Sequence, residues 1–299
     1  MSADPPPGDL GVVRDGGLDA DLVTGLGSDL GIGLGGDQGR ERQDRGRDRD
    51  ERPERGITWQ KLVCTPAVLA AALLATYLWI THIPLDAIEH NALDNGNVRL
   101  RLWQHVRLTA ISTFWVLLIA IPLGIALTRR RLRAASPLVT GLANIGQAAP
   151  AIGLLALLVI WLGIGARTAI VGMVAYAVLP VLSNTVAGLR AIDPDLVEAA
   201  RGIGMSGRGV LGKVELPLAV PLILAGVRTA LVLNVGTATL ATFGGGGGLG
   251  DLITSGIVTQ RMPVLVLGSV LTVALALFVD WLASLAEALM RPRGLAATA

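Results

Sequence analysis

The chain carries long apolar runs separated by short polar segments over most of its length. A helix needs about 20 mostly apolar residues to cross the hydrocarbon core of a bilayer. Six runs meet this requirement, and we predict membrane spans at 62–83, 108–128, 137–162, 168–189, 216–243 and 264–290. Several of them contain proline, which membrane helices tolerate because neighbouring groups satisfy the freed carbonyls. The pattern therefore predicts an all-α, polytopic membrane protein with about six transmembrane helices.

The first 56 residues have a different character. They are rich in Gly, Asp and Arg, have no steady helical or strand period, and carry 13 acidic residues and 8 arginines. Such a segment buries too little apolar surface to offset its chain entropy. A G-x-G-x-x-G match at 31–36 lacks the strand and helix of a dinucleotide site. We expect a disordered tail at 1–56 and a membrane domain at 57–299.

Composition and charge agree with a membrane location. Of the 299 residues 52% are hydrophobic and 16% charged, against roughly 25% charged in soluble domains. The basic residues that follow the second, fourth and sixth spans place those loops, and with them both termini, on the cytoplasmic side of the cell membrane. This distribution argues for orientation in a lipid bilayer and against a nucleic-acid partner. A single cysteine and three histidines without a metal-ligand spacing indicate no metal site.

The segment between the fourth and fifth spans, at 190–217, carries the most informative pattern. Asp193-Pro194-Asp195 is typical of a helix start. The residues that follow resemble the E-A-A loop of permease subunits of binding-protein-dependent ABC importers, whose pattern is E-A-A, three residues, G, nine residues, I-x-L-P. The sequence departs from it by a valine in place of isoleucine. The matching positions are Glu198, Ala199, Ala200, Gly204, Val214, Leu216 and Pro217.

The resemblance implies a short cytoplasmic coupling helix that docks on an ATPase subunit. It also implies a second permease subunit, the same or related, and an extracytoplasmic substrate-binding protein. The stretches 147–154, 179–185, 236–240 and 247–251 resemble permeases for osmoprotectants such as glycine betaine, choline and carnitine. An ABC permease for an amino acid or another small solute is the alternative that this resemblance leaves open.

The chain is not expected to be an enzyme. It contains no G-x-x-x-x-G-K-[ST] motif, and the glycine-rich run at 244–250 has no lysine. We therefore expect no cofactor on this chain, and ATP and Mg²⁺ on a partner ATPase. An ion-coupled secondary transporter would need inverted repeats and intramembrane carboxylates, for which the chain offers only Asp280. A membrane scaffold without transport activity would leave the loop pattern unexplained.

Polar residues inside the spans are the remaining candidates. Arg228 and Asp280 lie at similar predicted depths, and we predict that they pair and fix the packing of the last two spans. Aromatic residues in the spans are too few and scattered for a quaternary-ammonium cage, so selection is expected to reside in the binding protein. Six further residues could line a low-affinity pathway or could equally form interhelical hydrogen bonds. These are Asn144, Gln147, Tyr176, Asn184, Asn234 and Thr237.

Overall fold

The computed structural model describes residues 59–290, and of residues 59–62 only the backbone. The predicted tail at 1–56 and the basic residues after 290 lie outside this range. Within it every regular element is helical, as the apolar pattern predicts. Eleven α-helices follow in the order α1 Trp59–His82, α2 Ala87–Ala92, α3 Asn95–Thr128, α4 Ser136–Ala148, α5 Ala151–Leu162, α6 Ala166–Arg190, α7 Pro194–Gly202, α8 Gly207–Val210, α9 Leu216–Ala238, α10 Leu249–Val258 and α11 Met262–Met290.

Three shorter elements complete the described chain. Two are 3₁₀ helices at Arg133–Ala135 and Leu240–Gly244, and the third is a π-helical turn at Leu211–Glu215. Five helices, α1, α3, α6, α9 with the turn before it, and α11, are long and apolar enough to cross a membrane. The bent pair of α4 and α5 raises the number to six if it counts as one span. The prediction of about six transmembrane helices is confirmed in this sense.

The third predicted span is not one continuous helix, and the prediction of a single run at 137–162 is wrong. Its two halves meet at an angle of 98°. Pro150 has no N–H to continue the helical ladder, and a proline disfavours the helical conformation of the residue before it. Ala149 accordingly has extended backbone angles, φ −65° and ψ 140°. The prolines of α3, α6 and α9 remain inside unbroken helices.

Other boundaries also differ from the prediction. Helix α3 begins at Asn95, well before the predicted start of the second span, where the Asp94 side chain accepts a hydrogen bond from the Gly96 N–H. Its 34 residues correspond to roughly 50 Å, more than the ~30 Å hydrocarbon core. The stretch between the fifth and sixth predicted spans contains the helix α10.

Helices α3, α6 and α9 form the buried core. Val116 of α3, Val181 of α6 and Ala230 of α9 are fully buried in one cluster. Small residues let these helices approach closely. A Cβ added at Gly226 of α9 would lie 2.8 Å from the Pro180 carbonyl oxygen of α6.

The bundle has two ends that differ in their contacts. We call one the Glu215 end, where α3 and α6 finish and α9 begins. We call the other the His105 end, where α6 begins and the Leu240–Gly244 turn follows α9. A hydrogen bond from the Gly165 N–H to the Gly244 carbonyl, 2.7 Å long, joins the two chain segments at the His105 end. The candidate coupling helix α7 lies at the Glu215 end.

Candidate coupling site

Helix α7 forms where the Asp-Pro-Asp pattern predicts a helix start. The Asp193 side chain accepts a hydrogen bond from the Asp195 N–H at 2.9 Å, and Pro194 occupies the first position. The helix ends at Gly202, and Gly204 then adopts a φ of +89°. This left-handed conformation favours glycine because it has no Cβ. The Gly204 position of the motif is therefore the point at which the chain turns out of α7.

The motif residues divide between an inner and an outer face of α7. Ala200 is buried, whereas Glu198 and Ala199 are exposed. Two large apolar side chains are exposed beside them, Leu196 at 51% and Ile203 at 82%. Residues 196, 199 and 203 follow the three- and four-residue spacing of one helix face. We call this set, Leu196, Ala199 and Ile203, the α7 outer face.

The remaining motif residues lie where the chain re-enters the bundle. Gly204 and Pro217 are exposed, whereas Val214 and Leu216 are partly buried. Sequence reasoning did not single out Ile203, although a large apolar residue next to a helix-ending glycine is a signal that could have identified it.

An ion pair that the sequence analysis did not predict connects this segment to α3. Glu215 is the last residue of the π-helical turn, and both of its carboxylate oxygens accept hydrogen bonds from the Arg129 guanidinium. The Nη1 to Oε1 distance is 3.3 Å. The Glu215 side chain is 10% exposed and that of Arg129 37%. The signal in the sequence was a carboxylate at the start of an apolar run, where burial requires a partner.

A second arginine also forms a contact at the Glu215 end. Arg190, the last residue of α6, donates a hydrogen bond of 2.9 Å from Nη2 to the Ser136 hydroxyl at the start of α4. This hydrogen bond joins α6 to α4 and does not involve the π-helical turn. The arginines at this end therefore include side chains that hold helices together, in addition to their expected effect on membrane orientation.

At the His105 end, α3 holds the glycine-rich segment through three side chains. His105 is fully buried, with Nε2 3.0 Å from the Val235 carbonyl oxygen and Nδ1 accepting from the Leu249 N–H at 3.3 Å. One residue earlier, Gln104 Oε1 accepts a hydrogen bond from the Gly248 N–H at 3.2 Å. The third side chain, Arg101, forms an ion pair with Asp251 of α10. These contacts hold the glycine-rich segment against α3.

The structure brings the predicted intramembrane residues together. Arg228 Nε lies 2.6 Å from Asp280 Oδ1, and its Nη2 lies 2.8 Å from Oδ2. A third charge, Glu287, has its Oε2 3.9 Å from Arg228 Nη1. The bidentate geometry is the arrangement that gives arginine–carboxylate pairs their strength. The pair links α9 to α11.

The six pathway candidates do not gather around one space. Asn234 is buried and donates to the Thr113 hydroxyl of α3 at 2.9 Å, an interhelical hydrogen bond. Asn184 donates to the Pro180 carbonyl of its own helix at 2.8 Å.

The other four candidates lie apart from these two hydrogen bonds. Tyr176 and Thr237 line one small cavity with residues of α5 and α6. Asn144 is exposed and Gln147 partly buried. Their role in a pathway stays a prediction. Between residues 59 and 290 no group of three or more His, Cys, Asp or Glu side chains is placed to hold a metal ion.

The described chain is a bundle of apolar helices, and the short helix α7 lies exposed between two of the candidate spans. Residues 120–292 match the family of inner membrane components of binding-protein-dependent transport systems. The chain belongs to this family, and it is a permease subunit by that membership.

Several known proteins match this chain over most of their own length. It is 38% identical over 202 residues, 68% of this chain and 92% of the relative, to the glycine betaine/carnitine/choline permease OpuCB of Bacillus subtilis. It is also 38% identical over 215 residues, 72% of this chain and 89% of the relative, to the osmoprotectant import permease OsmY of Salmonella typhimurium. A carnitine permease of Listeria monocytogenes, OpuCD, is 35% identical over 206 residues, 69% of this chain and 92% of that protein.

Solved structures share the fold. A chain of the MetNI methionine ABC transporter in an inward-facing conformation aligns with a TM-score of 0.55 and 25% identity, covering 63% of this chain and 93% of that chain. An amino acid ABC transporter structure aligns with a TM-score of 0.56 at 17% identity, covering 69% and 99%. The second likeness shows the fold alone.

Proposed function

We propose that this chain is the permease subunit of an ABC importer for osmoprotectants such as glycine betaine, choline or carnitine. The observation that carries the proposal is the 38% identity over 92% of the length of a permease for these three solutes. The relatives from three bacterial species that are cited above are all permeases for such solutes. The energy for import comes from ATP hydrolysed on a separate subunit, which holds ATP and Mg²⁺.

In this proposal α7 is the helix that meets the ATPase. The α7 outer face presents an apolar stripe, and exposed Glu198 adds a negative charge beside it. An apolar groove with a basic group on the partner would complement both features. The arginines around the Glu215 end support a cytoplasmic position for α7 and for both termini, because short cytoplasmic loops carry an excess of basic residues.

The remaining partners follow from the same arrangement. Two permease subunits, identical or related, enclose the path, and the binding protein delivers solute at the His105 end. Closure of the ATPase pair on ATP moves α7, and the spans change from an inward-open to an outward-open state. Hydrolysis resets them. This is a two-state equilibrium biased by a ligand on the partner.

Uptake of labelled glycine betaine after a salt upshift tests the proposal, in cells that lack other betaine importers. We expect uptake with the parent chain, none without it, and none with Glu198→Lys at an unchanged membrane level. Arg131→Glu is the matched control, because it reverses an exposed charge at the same end outside α7. It should leave uptake intact.

Normal uptake by a well-expressed Glu198→Lys variant would contradict the role of α7. Betaine uptake that does not depend on the chain would overturn the proposed substrate. Labelled choline, carnitine and methionine are then tested in the same strains. Loss of methionine uptake alone would establish the amino-acid alternative.

A further inference from the structure

The ion pair between Arg129 and Glu215 connects α3 to the π-helical turn by a contact that resists separation. Among the Asp, Glu, Lys and Arg residues between 63 and 290, Glu215 alone is buried. A buried carboxylate that loses its partner is left as an uncompensated charge, so such pairs resist opening. The bidentate contact also fixes the direction in which the two chain segments lie.

The turn that carries Glu215 is unusual in its own right. The Leu216 N–H bonds to the Leu211 carbonyl, the i to i−5 pattern of a π-helix. Turns of this kind are rare and occur frequently at functional sites. The turn joins α8 directly to α9, so a displacement that arrives from α7 along the chain reaches Glu215 before it reaches α9.

Two kinds of contact connect this segment to the bundle. Leu211 and Leu216 pack in an apolar cluster with Leu189 of α6 and Ile223 of α9. Apolar packing is non-directional and permits sliding, whereas the ion pair reaches one particular residue, Arg129 at the C-terminal end of α3. The guanidinium is also favourably placed there, because cations stabilise a helix C-terminus.

We propose that Arg129 and Glu215 are positioning residues that transmit the movement of α7 to α3. The proposal rests on the proposed function, since it assumes that a partner ATPase moves α7. The pair makes α3 follow the π-helical turn, and without it α7 moves while α3 stays behind. ATP is then hydrolysed without a matching change at the His105 end, to which α3 is held by Arg101, Gln104 and His105.

Distances between spin labels test the transmission step directly. The complex with its ATPase is reconstituted in lipid with Cys64→Ser, so that labels attach only at introduced cysteines, and labelled chains are diluted with unlabelled ones. One pair of labels, at Leu118 of α3 and Leu277 of α11, reports the movement of α3 relative to α11. A second pair, at Asp195 of α7 and Leu277, reports the movement of α7 relative to α11. All three positions are exposed.

In the parent we expect both distances to change when ATP is trapped on the partner. In Glu215→Gln the α7 distance should still change and the α3 distance should not, and uptake per ATP hydrolysed should fall about tenfold or more. Exchange of the two charges, Arg129→Glu with Glu215→Arg, should restore the α3 response. Ser136→Ala is the control, because it removes the Arg190 contact at the same end without touching the pair.

Four other results would each contradict a different part of the proposal. No change of either distance in the parent would overturn the proposed ATP-driven function itself. An α3 response in Glu215→Gln equal to that of the parent would overturn transmission through the pair. Loss of the ATPase from purified Glu215→Gln would assign the pair to assembly instead, and loss of coupling in Ser136→Ala would assign the effect to general packing.

Discussion

The Arg228–Asp280 pair should contribute measurably to the free energy of unfolding of the helix bundle. Arg228 lies twelve positions after the start of α9 at Leu216, roughly 18 Å along the helix axis and so near the middle of a ~30 Å core. Removing the carboxylate with Asp280→Ala leaves the arginine with Glu287 at 3.9 Å as its remaining acidic neighbour. An unpaired charge at this depth costs about 2.5–3.5 kcal/mol on insertion scales.

The partial compensation by Glu287 lowers this value, and we expect a loss of about 2–3 kcal/mol. This corresponds to about a 30- to 150-fold change in the unfolding equilibrium. The two side chains are 37% and 34% exposed. Water on that exposed surface would screen the pair and bring the loss toward the ~1 kcal/mol of a surface ion pair. The measured magnitude therefore also reports whether the surface faces lipid or a water-filled space.

Equilibrium unfolding of the purified chain with SDS in mixed micelles provides the measurement. Ser284→Ala is the matched control, since Ser284 lies one turn further along α11 and its hydroxyl donates to the Asp280 carbonyl at 2.8 Å. It should shift the unfolding free energy by less than about 0.5 kcal/mol. The double reversal Arg228→Asp with Asp280→Arg should be more stable than either single reversal. A double variant no more stable than the singles, or an Asp280→Ala variant with parental stability, would refute the reasoning.

Two further predictions concern contacts outside the Glu215 end. In Gly250→Ala the added Cβ would overlap the Thr239 carbonyl oxygen, so we expect a loss of about 1–3 kcal/mol from overpacking in the same unfolding assay. Gly236→Ala meets no atom within 4 Å and should be near parental; equal losses in both would contradict the steric argument. At the start of α11, the hydrogen bond from Arg261 holds the pKa of Asp86 below its ordinary value. The contribution of this carboxylate is therefore complete above a pH of about 4 and is lost as pH falls through the lowered pKa. The thermal midpoints of the parent and Asp86→Asn should differ at pH 5–7 and approach each other as the pH falls. A difference that stays constant as the pH falls would show that ionisation of Asp86 is not responsible.

Some features of the fold could be read from local patterns because their causes are local. The start of α7 at Pro194 depends on residues within a few positions of each other, and it was predicted at the right place. The break at Pro150 was not within reach of the same reasoning. Proline is tolerated in α3, α6 and α9 but not here, and no local rule distinguishes these cases, since the outcome depends on whether neighbouring helices support the freed backbone groups.

The contacts between distant residues could be predicted less well. Arg228 and Asp280 were predictable because charges in hydrocarbon are few, so that a partner at equal depth is nearly determined. Arg129 and Glu215 lie at a membrane boundary, where the sequence offers several arginines for one glutamate. His105 gave no signal, because a buried neutral histidine is recognised only once the carbonyl and N–H groups that it bonds are in place.

From the sequence it could be predicted that the chain is helical, that it spans a membrane about six times, which loop resembles a coupling loop and which class of transporter it resembles. Hydropathy, span length and short motifs decide these properties because each acts within one helix or one loop. Three properties became apparent only in the folded chain: Glu215 pairs with Arg129, α3 holds the glycine-rich segment, and Leu196, Ala199 and Ile203 form one exposed face. These properties depend on the relative positions of helices, which are set by close packing of small residues summed over the whole bundle.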